Sequence, residues 1–208
     1  MSSPLSLSHS LPLPIGLILC GGKSTRMEGT NKALVDFGGQ PLLQRIRSRL
    51  EPQVSRLLLN LAEKSEEYDE FQLEYCLDLK PDAGPLMGLA SAFKVTEKEN
   101  ILLCPCDAPF VPENLAERLM ELMMSRDADI VCPTYGSALQ PTFALWHRRC
   151  ANRVISAATN GGLSALKELY PEFRVATLEW PEESPEPFFN INKPSELDFA
   201  EGFLEKQK

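Results

Sequence analysis

The sequence predicts an α/β fold in one domain, with a parallel sheet covered by helices on both faces. Short apolar runs alternate along the chain with segments of helical periodicity, which is the pattern of strand–helix–strand units. The 208 residues are 43% hydrophobic and 24% charged, an ordinary composition for one globular domain. We therefore expect a single domain over residues 15–208, preceded by a flexible extension of residues 1–14 that is rich in serine and proline.

The first predicted strand, Ile15–Leu19, is a continuous apolar run of the kind found in buried parallel strands. It is followed by Gly21 and Gly22, where the backbone can adopt positive φ and approach another group closely. The polar or cationic side chains that come next are Lys23, Ser24, Arg26 and Lys32. Because backbone N–H groups surrounded by cations suit phosphate, this stretch is predicted to bind it; an ordinary turn after a strand is the alternative.

Two familiar phosphate-binding patterns do not fit this loop. A Walker A loop would need its first glycine at position 17, which is Leu17. The dinucleotide fingerprint G-x-G-x-x-G fails because Gly21 and Gly22 are adjacent and position 25 is Thr25. A dehydrogenase is therefore disfavoured.

Apolar periodicity gives the remaining elements. Further strands are predicted at residues 57–59, ending on Asn60, and at 73–77, 101–104, 130–132 and 142–146. Helical segments are predicted at 41–50, 63–71, 85–93, 112–125, 154–158 and 163–169, with a last helix that Ser195 caps and that ends at Leu204. Residues 180–187 are rich in proline and glutamate and are predicted to form a surface loop.

Asp107 stands just past the end of a predicted strand, as Gly21 does. The carboxyl ends of parallel strands share one edge of an open sheet, and ligands bind in the crevice there, so both are expected in one site. A glycine loop with Arg26 and Lys32 would hold the phosphates of a nucleoside triphosphate, and the Asp107 carboxylate would hold Mg²⁺. The alternative is that Asp107 only caps the following helix or turn.

Composition excludes several other classes. The net charge of -8 argues against general nucleic-acid or anionic-membrane binding, although a local excess of cations between Lys23 and Arg56 suits a small polyanion. No apolar run approaches the roughly 18 residues of a membrane span. The six cysteines lie mostly in apolar runs without a C-x-x-C, which predicts buried thiols in a reducing, cytoplasmic protein and no zinc site. No histidine is placed as a base for acyl transfer.

Five motifs carry a resemblance to a known family. The stretch L-C-G-G-K-S-T-R-M-E-G-T-N-K at 19–32 resembles the L-A-G-G-x-S-x-R-M-G-x-D-K signature of sugar- and cofactor-nucleotidyltransferases. With G-P-L-M-G-L (84–89), P-C-D-A-P-F (105–110), Q-P-T-F-A-L (140–145) and F-N-I-N-K-P (189–194), the chain looks like the molybdenum cofactor guanylyltransferases. The resemblance implies a Rossmann-like three-layer sandwich with a mostly parallel, mixed sheet, of the nucleotide-diphospho-sugar transferase type.

The resemblance also implies an activity, the transfer of GMP from GTP to the molybdopterin (molybdenum) cofactor with release of pyrophosphate. It implies nucleotide contacts at Leu19, Cys20, Gly21, Gly22, Lys32, Asn60, Asp78 and Asp107. It further implies that Lys32 and Arg26 stabilise the leaving pyrophosphate, that Asp107 binds Mg²⁺ or alternatively Mn²⁺, and that Asn190 and Asn192 approach the pterin substrate. The implied protein partners are molybdenum-insertion and molybdoenzyme chaperone proteins.

Three departures from the family pattern bear on activity. Cys20 replaces alanine, Glu28 replaces glycine, and Asn31 replaces the aspartate before Lys32, so a charge partner for Lys32 or Arg26 is lost. Asp78 is also one residue out of the expected spacing. Two alternatives stay open: a CTP-dependent cytidylyltransferase acting on the same cofactor, and a GTP-binding module without catalysis.

Overall fold

The computed structural model describes residues 11–21, 26–27, 30–80 and 84–205, with side chains left out at 26, 27, 30 and 205. The predicted loop residues Gly22, Lys23 and Ser24, as well as Glu28, lie outside the described residues. So do residues 1–10 of the predicted N-terminal extension. Its last residue, Pro14, accepts a hydrogen bond from the backbone N–H of Ser55 (2.8 Å).

One sheet runs through the described chain. Its strands are β1 (Ile15–Leu19), β4 (Arg56–Leu61), β5 (Glu74–Leu77), β6 (Asn100–Pro105), β7 (Ile130–Tyr135), β9 (Leu145–His147) and β10 (Val175–Glu179), in the spatial order β10-β7-β9-β6-β1-β4-β5. The short β8 (Ala138–Leu139) pairs with β7, and β2 (Arg26–Met27) pairs with β3 (Thr30–Asn31) as a separate hairpin.

Strand direction decides which loops share an edge. β1 lies between β4 and β6 and is parallel to both, β5 is parallel to β4, and β10 is parallel to β7. β9 is antiparallel to both β6 and β7, so β6 and β7 run in the same direction. The carboxyl ends of all these strands except β9 therefore lie along one edge, and the predicted mostly parallel, mixed sheet is confirmed.

Helices cover both faces of the sheet. They are α1 (Leu42–Leu50), α2 (Pro85–Val95), α3 (Leu115–Arg126), α4 (Ala151–Thr159) and α5 (Pro194–Glu205). Helices α1 and α3 pack on one face, which receives Ile18 of β1, and α2 and α4 pack on the other, which receives Leu17. Successive strand residues thus enter opposite cores, as in a three-layer sandwich. No helix among the described residues has the length and apolar character needed to span a membrane.

Several predicted bounds were wrong. β4 continues through Asn60 to Leu61, so Asn60 lies inside a strand rather than at its end. The strand predicted at 142–146 is a 3₁₀ turn, Pro141–Phe143, followed by the shorter β9, because Pro141 has no N–H for a strand ladder. The helices predicted at 63–71 and 163–169 are 3₁₀ turns at Glu66–Phe71 and Leu166–Glu172, and α3 begins three residues later than expected.

The C-terminal part departs most from expectation. β10 was not predicted, and Trp180, assigned to a surface loop, is buried beneath the guanidinium of Arg118 at 4.0 Å from its ring. Ser195 does not cap α5, since the helix already begins at Pro194. Glu196 fills that role instead: its side chain accepts the backbone N–H groups of Asn192 (2.6 Å) and Lys193 (3.2 Å).

Candidate active site

A lysine and an aspartate meet at the carboxyl edge of the sheet. Asp107 follows the end of β6 by two residues, and Lys32 begins the 3₁₀ turn Lys32–Leu34 that follows β3. The Lys32 Nζ lies 3.5 Å from Asp107 Oδ2, and both side chains are largely buried, 5% and 15% exposed. The two residues expected to share a crevice are therefore brought together.

The F-N-I-N segment before α5 holds this pair in place. Lys32 Nζ donates a hydrogen bond to Asn192 Oδ1 (2.7 Å), and the Ile191 N–H donates to the backbone carbonyl of Asp107 (2.8 Å). Glu196 in turn fixes the backbone of Asn192. The sequence signal for Glu196 is its place as the third residue of α5, where the glutamate of a capping box stands.

Asn190 leaves one polar atom unpaired. Its Oδ1 is buried and has no hydrogen-bond partner among the described residues, while its backbone carbonyl accepts Asn192 Nδ2 at 3.3 Å. An unpaired buried acceptor costs about 1–3 kcal/mol, so such an atom is well suited to a donor that arrives with a ligand.

Burial and charge act in opposite directions on the Asp107 carboxyl. Burial is the larger effect and raises its pKa above the usual range, while the Lys32 ammonium lowers the pKa and the charge of Glu196 raises it slightly. The carboxylate is therefore incompletely compensated by the protein. Another cation at this position would stabilise its charged form.

The end of β1 is tied to a second polar pair. The Cys20 N–H donates to the carbonyl of Asn60 (2.9 Å), and Asn60 Nδ2 donates to Asp78 Oδ1 (2.8 Å). Asp78, which follows β5, is fixed by its own N–H to the Leu61 carbonyl (2.9 Å). Burial raises the pKa of Asp78, and the hydrogen bond from Asn60 opposes that rise. Leu19, Cys20, Asn60 and Asp78 thus lie side by side across β1, β4 and β5.

Two glycines leave room for this pair. A Cβ on Gly21 would lie 3.0 Å from Asp78 Oδ2 and 3.1 Å from Asn60 Oδ1. A Cβ on Gly88 of α2 would lie only 2.3 Å from Asn60 Oδ1. The G-P-L-M-G-L motif at 84–89 therefore has a packing reason for its second glycine, because any side chain there would displace Asn60.

Comparison with known proteins identifies the family of this chain. A sequence model described as the MobA-like NTP transferase domain matches residues 16–174. The chain belongs to this family. The predicted resemblance and the predicted nucleotidyltransferase class are thereby confirmed.

Relatives in the MobA-like family cover almost the whole chain. A protein named molybdenum cofactor guanylyltransferase from Ralstonia pickettii is 33% identical over 192 residues, which is 88% of this chain and 93% of that protein. One of the same name from Polynucleobacter asymbioticus is 32% identical over 197 residues, covering 91% and 96% of the two chains.

Solved structures confirm the fold. The molybdopterin-guanine dinucleotide biosynthesis protein A from Archaeoglobus fulgidus superposes with a TM-score of 0.76 at 21% identity, over 92% of this chain and 99% of that one. A 2-C-methyl-D-erythritol 4-phosphate cytidylyltransferase from Thermus thermophilus reaches a TM-score of 0.66 at 18% identity, over 91% and 98%. At these identities the likeness concerns the fold, which is the nucleotide-diphospho-sugar transferase type that the resemblance implied.

Part of the predicted phosphate-binding loop lies outside the described residues. Gly22 lies outside the described residues, and the Arg26 side chain is not described. Of the other cations expected to favour a polyanion, three arginines of α1 bind backbone carbonyls: Arg45 at Phe37 (2.6 Å), Arg47 at Phe71 (2.8 Å) and Arg49 at Val111 (2.6 Å). These three guanidinium groups thus tie α1 to neighbouring segments of the chain.

Asn31, where the signature that this sequence resembles has aspartate, forms its hydrogen bonds with groups other than the Lys32 ammonium. Its Nδ2 donates to the hydroxyl of Tyr68 (2.8 Å) and to Glu67 Oε2 (3.2 Å), and its Oδ1 accepts the Ala33 N–H (3.2 Å). Lys32 takes its carboxylate partner from Asp107.

The donor set fits a divalent ion that arrives with the substrate. Within the described part of the chain, no group of three or more His, Cys, Asp or Glu side chains could hold a metal ion by itself. Mg²⁺ commonly binds through one or two carboxylates together with substrate phosphates and waters. The single carboxylate of Asp107, with 15% of its side chain exposed, suits that mode.

Proposed function

We propose that this chain transfers GMP from GTP to the phosphate of the molybdopterin cofactor, giving the guanine dinucleotide cofactor and pyrophosphate. The observation that carries the proposal is the meeting of Lys32, Asp107 and the F-N-I-N segment at the same sheet edge as the Asn60–Asp78 pair. The chain also belongs to the MobA-like family and has relatives named molybdenum cofactor guanylyltransferase, which supports the same conclusion.

The nucleoside of GTP would lie against β1, β4 and β5. Backbone groups of Leu19, Cys20 and Gly21 would contact it, and glycine at position 21 lets this backbone pack directly against the Asn60–Asp78 pair. Gly22 and Arg26 would complete the phosphate-binding part of the site. The carboxylate of Asp78 offers hydrogen-bond acceptors to the N–H groups of the nucleoside.

The reaction is an in-line displacement at the α-phosphorus. An oxygen of the cofactor's terminal phosphate forms a new P–O bond there, and the bond to the bridging oxygen of the β-phosphate breaks with its electron pair leaving on pyrophosphate. No base is needed, since the attacking phosphate is already ionised. Lys32, assisted by Arg26, would balance the charge that builds on the leaving group.

Asp107 is the residue that would hold Mg²⁺, or alternatively Mn²⁺, and the bound ion would supply charge neutralisation at the α-phosphate. The protein's own contribution there is to keep the carboxylate oriented, through the Lys32 contact and the Ile191 hydrogen bond to its backbone.

Asn190 and Asn192 would border the acceptor. Asn192 Oδ1 is engaged by Lys32, so its part is to hold that ammonium beside Asp107. The unpaired Asn190 Oδ1 is the atom that would accept a hydrogen bond from the acceptor.

Cytoplasmic location and partners belong to the same proposal. All six cysteines are buried and free, as expected of a reducing compartment. Molybdenum-insertion proteins would supply the acceptor there, and molybdoenzyme chaperones would receive the product.

The decisive experiment incubates the purified protein with Mg²⁺, molybdopterin and either GTP or CTP, and measures pyrophosphate and the dinucleotide product. We expect product with GTP and at least about tenfold less with CTP. Higher turnover with CTP would make the chain a cytidylyltransferase. Saturable GTP binding without pyrophosphate release would make it a binding module and overturn the proposal.

A further inference from the structure

Asp78 stands in a segment that side-chain packing does little to hold. Its two neighbours, Leu77 and Leu79, are 43% and 41% exposed, and Lys80 is exposed as well. Stabilisation by the hydrophobic effect grows with the apolar surface that is buried, so this segment gains little from it. The direction of the Asp78 carboxylate therefore depends on hydrogen bonds.

Two of these bonds fix the peptide groups on either side of the Asp78 Cα. The Asp78 N–H donates to the Leu61 carbonyl at the end of β4 (2.9 Å), and the Leu79 N–H donates to Ser91 Oγ in α2 (3.2 Å). Since φ and ψ are the only soft backbone dihedrals of a residue, fixing both peptide groups fixes both angles at Asp78. They set the direction of its Cα–Cβ bond, and so the place of its carboxylate.

The Ser91 hydroxyl is arranged to act as an acceptor in this contact. Ser91 is 1% exposed, and its Oγ donates to the Met87 carbonyl one helical turn earlier (2.9 Å). A hydroxyl has one proton to donate and two lone pairs that accept. With the proton used inside α2, the oxygen remains available to the Leu79 N–H alone, because burial keeps water away.

Helix α2 thus contacts both members of the Asn60–Asp78 pair. It packs against β1, β4 and β5. Gly88 leaves the space that the Asn60 side chain occupies, and Ser91, three residues later on the same side of the helix, holds the backbone beside Asp78. One helix therefore sets the relative position of the two polar side chains that meet through Asn60 Nδ2 and Asp78 Oδ1.

We propose that Ser91 is a positioning residue for nucleotide binding, which acts through the backbone of Asp78 and orients its carboxylate towards the nucleoside of GTP. The inference rests on the proposed function, which places the nucleoside at the Asn60–Asp78 pair. Lys32 and Asp107 lie on other strand ends, so loss of the Ser91 hydroxyl should weaken the binding of GTP without slowing the transfer of its phosphate.

The test compares Ser91→Ala with Gln53→Leu. Gln53 is a matched control because it is also a buried side chain that accepts a backbone N–H, that of Ala116 (3.0 Å), but it lies between α1 and α3 on the other face of the sheet. We expect Ser91→Ala to raise the Kd and the KM for GTP about fivefold or more, with kcat at saturating GTP within about twofold. Gln53→Leu should lower the melting temperature and leave the Kd for GTP unchanged.

A second variant, Ser91→Thr, keeps the hydroxyl and should return the Kd for GTP to within about twofold of wild type, whatever its added methyl group does to the melting temperature. The role of Ser91 is overturned if Ser91→Ala binds GTP as tightly as wild type. It is also overturned if Ser91→Thr binds GTP as weakly as Ser91→Ala, or if Gln53→Leu weakens GTP binding equally.

The wild-type protein separates this inference from the proposed function. Pyrophosphate release from GTP and molybdopterin decides the guanylyl transfer, whatever the Ser91 variants show. The Kd for GTP is measured by calorimetry with no acceptor present, so it decides the role of Ser91 even in a protein that releases no pyrophosphate.

Discussion

Asp107 and Asp129 are both aspartates with cationic neighbours, yet their pKa values shift in opposite directions. Asp129 accepts hydrogen bonds from Arg149 Nε (2.7 Å), from Arg174 Nη2 (3.0 Å) and from the Arg174 backbone N–H (3.0 Å), and these lower its pKa well below the usual range. Asp107 has Lys32 at 3.5 Å, and burial raises its pKa. The charge of the Asp129 carboxylate is fully compensated by the protein, whereas the Asp107 carboxylate can still bind another cation.

Their positions explain the difference. Asp129 and Arg174 immediately precede β7 and β10, and Arg149 follows β9, so all three lie at the edge of the sheet opposite to the crevice. Asp127 extends this cluster through Arg149 and Arg174. The Asp129 cluster, whose charges pair with one another, stabilises the starts of the strands. The Lys32–Asp107 pair, whose charge is incompletely compensated, is suited to binding a ligand.

The largest effect on turnover should come from substituting Lys32 or Asp107, the pair whose charge is incompletely compensated. Asp107→Ala and Lys32→Ala are each expected to lower turnover at least about a hundredfold, the usual effect of one charged group at a phosphoryl-transfer site. Asp129→Asn is the matched control and should keep its turnover. Pyrophosphate release measures activity, and circular dichroism checks that each variant is folded; near-normal turnover in either alanine variant would remove that residue from the site.

Glu196 should have a smaller effect because it acts through Asn192. Loss of its two hydrogen bonds in Glu196→Ala would free the segment that holds Lys32, and we expect kcat to fall about tenfold. Glu196→Gln keeps an oxygen that can accept both N–H groups and should restore most of kcat. A merely structural role would instead lower the melting temperature without separating the alanine from the glutamine variant in kcat.

The control for Glu196 lies on the same helix. Glu201 accepts the backbone N–H of Gly38 at 3.0 Å, away from the Lys32 contact. Glu201→Ala should therefore keep kcat even if it loses some stability. A similar fall in kcat for Glu201→Ala and Glu196→Ala would mean that α5 as a whole, not the Asn192 contact, supports the site.

In the cluster of Asp129, Arg149 and Arg174, substitution should change the free energy of unfolding and its dependence on pH. Because the pKa of Asp129 is lowered in the folded state, its contribution is present above the ordinary carboxyl pKa of about 3.9 and is lost as the pH falls through the folded value. Asp129→Asn should lower the free energy of unfolding by about 1–2 kcal/mol at pH 7, since both arginine partners are partly exposed. Urea titrations should show this difference shrinking below pH 4; a difference independent of pH would point to packing instead of charge.

Sequence patterns predicted the parts of the site that follow strands. Gly21 and Asp107 each come directly after an apolar run, and parallel strands bring such positions to one edge whatever the details of packing. The contact of Lys32 with Asn192 spans 160 positions and depends on how α5 docks, which local patterns do not encode. Only the family resemblance pointed to that segment.

Other misses have local physical reasons. β9 is short and antiparallel, and Pro141 interrupts the apolar run that was assigned to it. Trp180 stands at the head of a Pro- and Glu-rich stretch, but the tertiary contact with Arg118 buries it. Hydrophobic periodicity reflects the environment of a whole helix or strand. It does not indicate a single residue that one tertiary contact buries.

The smallest expected effect concerns Asn31, where the chain departs from its family. In Asn31→Asp, the new carboxylate can still accept the Ala33 N–H and a hydrogen bond from Tyr68, but it loses the donor to Glu67 and faces that carboxylate. Because the contact is exposed, we expect a loss of about 0.5–1 kcal/mol in unfolding free energy, and turnover within about twofold of wild type since Asp107 supplies the partner of Lys32. Chemical denaturation and pyrophosphate release measure the two quantities.

Adding Glu67→Gln to Asn31→Asp removes the repulsion and should recover most of the lost stability, which assigns the cost to the two carboxylates. A severalfold gain in turnover by Asn31→Asp would contradict the separation of Asn31 from the site. It would show that the absence of a carboxylate at position 31 limits the contribution of the loop around Arg26 to turnover. Incomplete charge compensation would then extend from Asp107 to the residues beside Lys32.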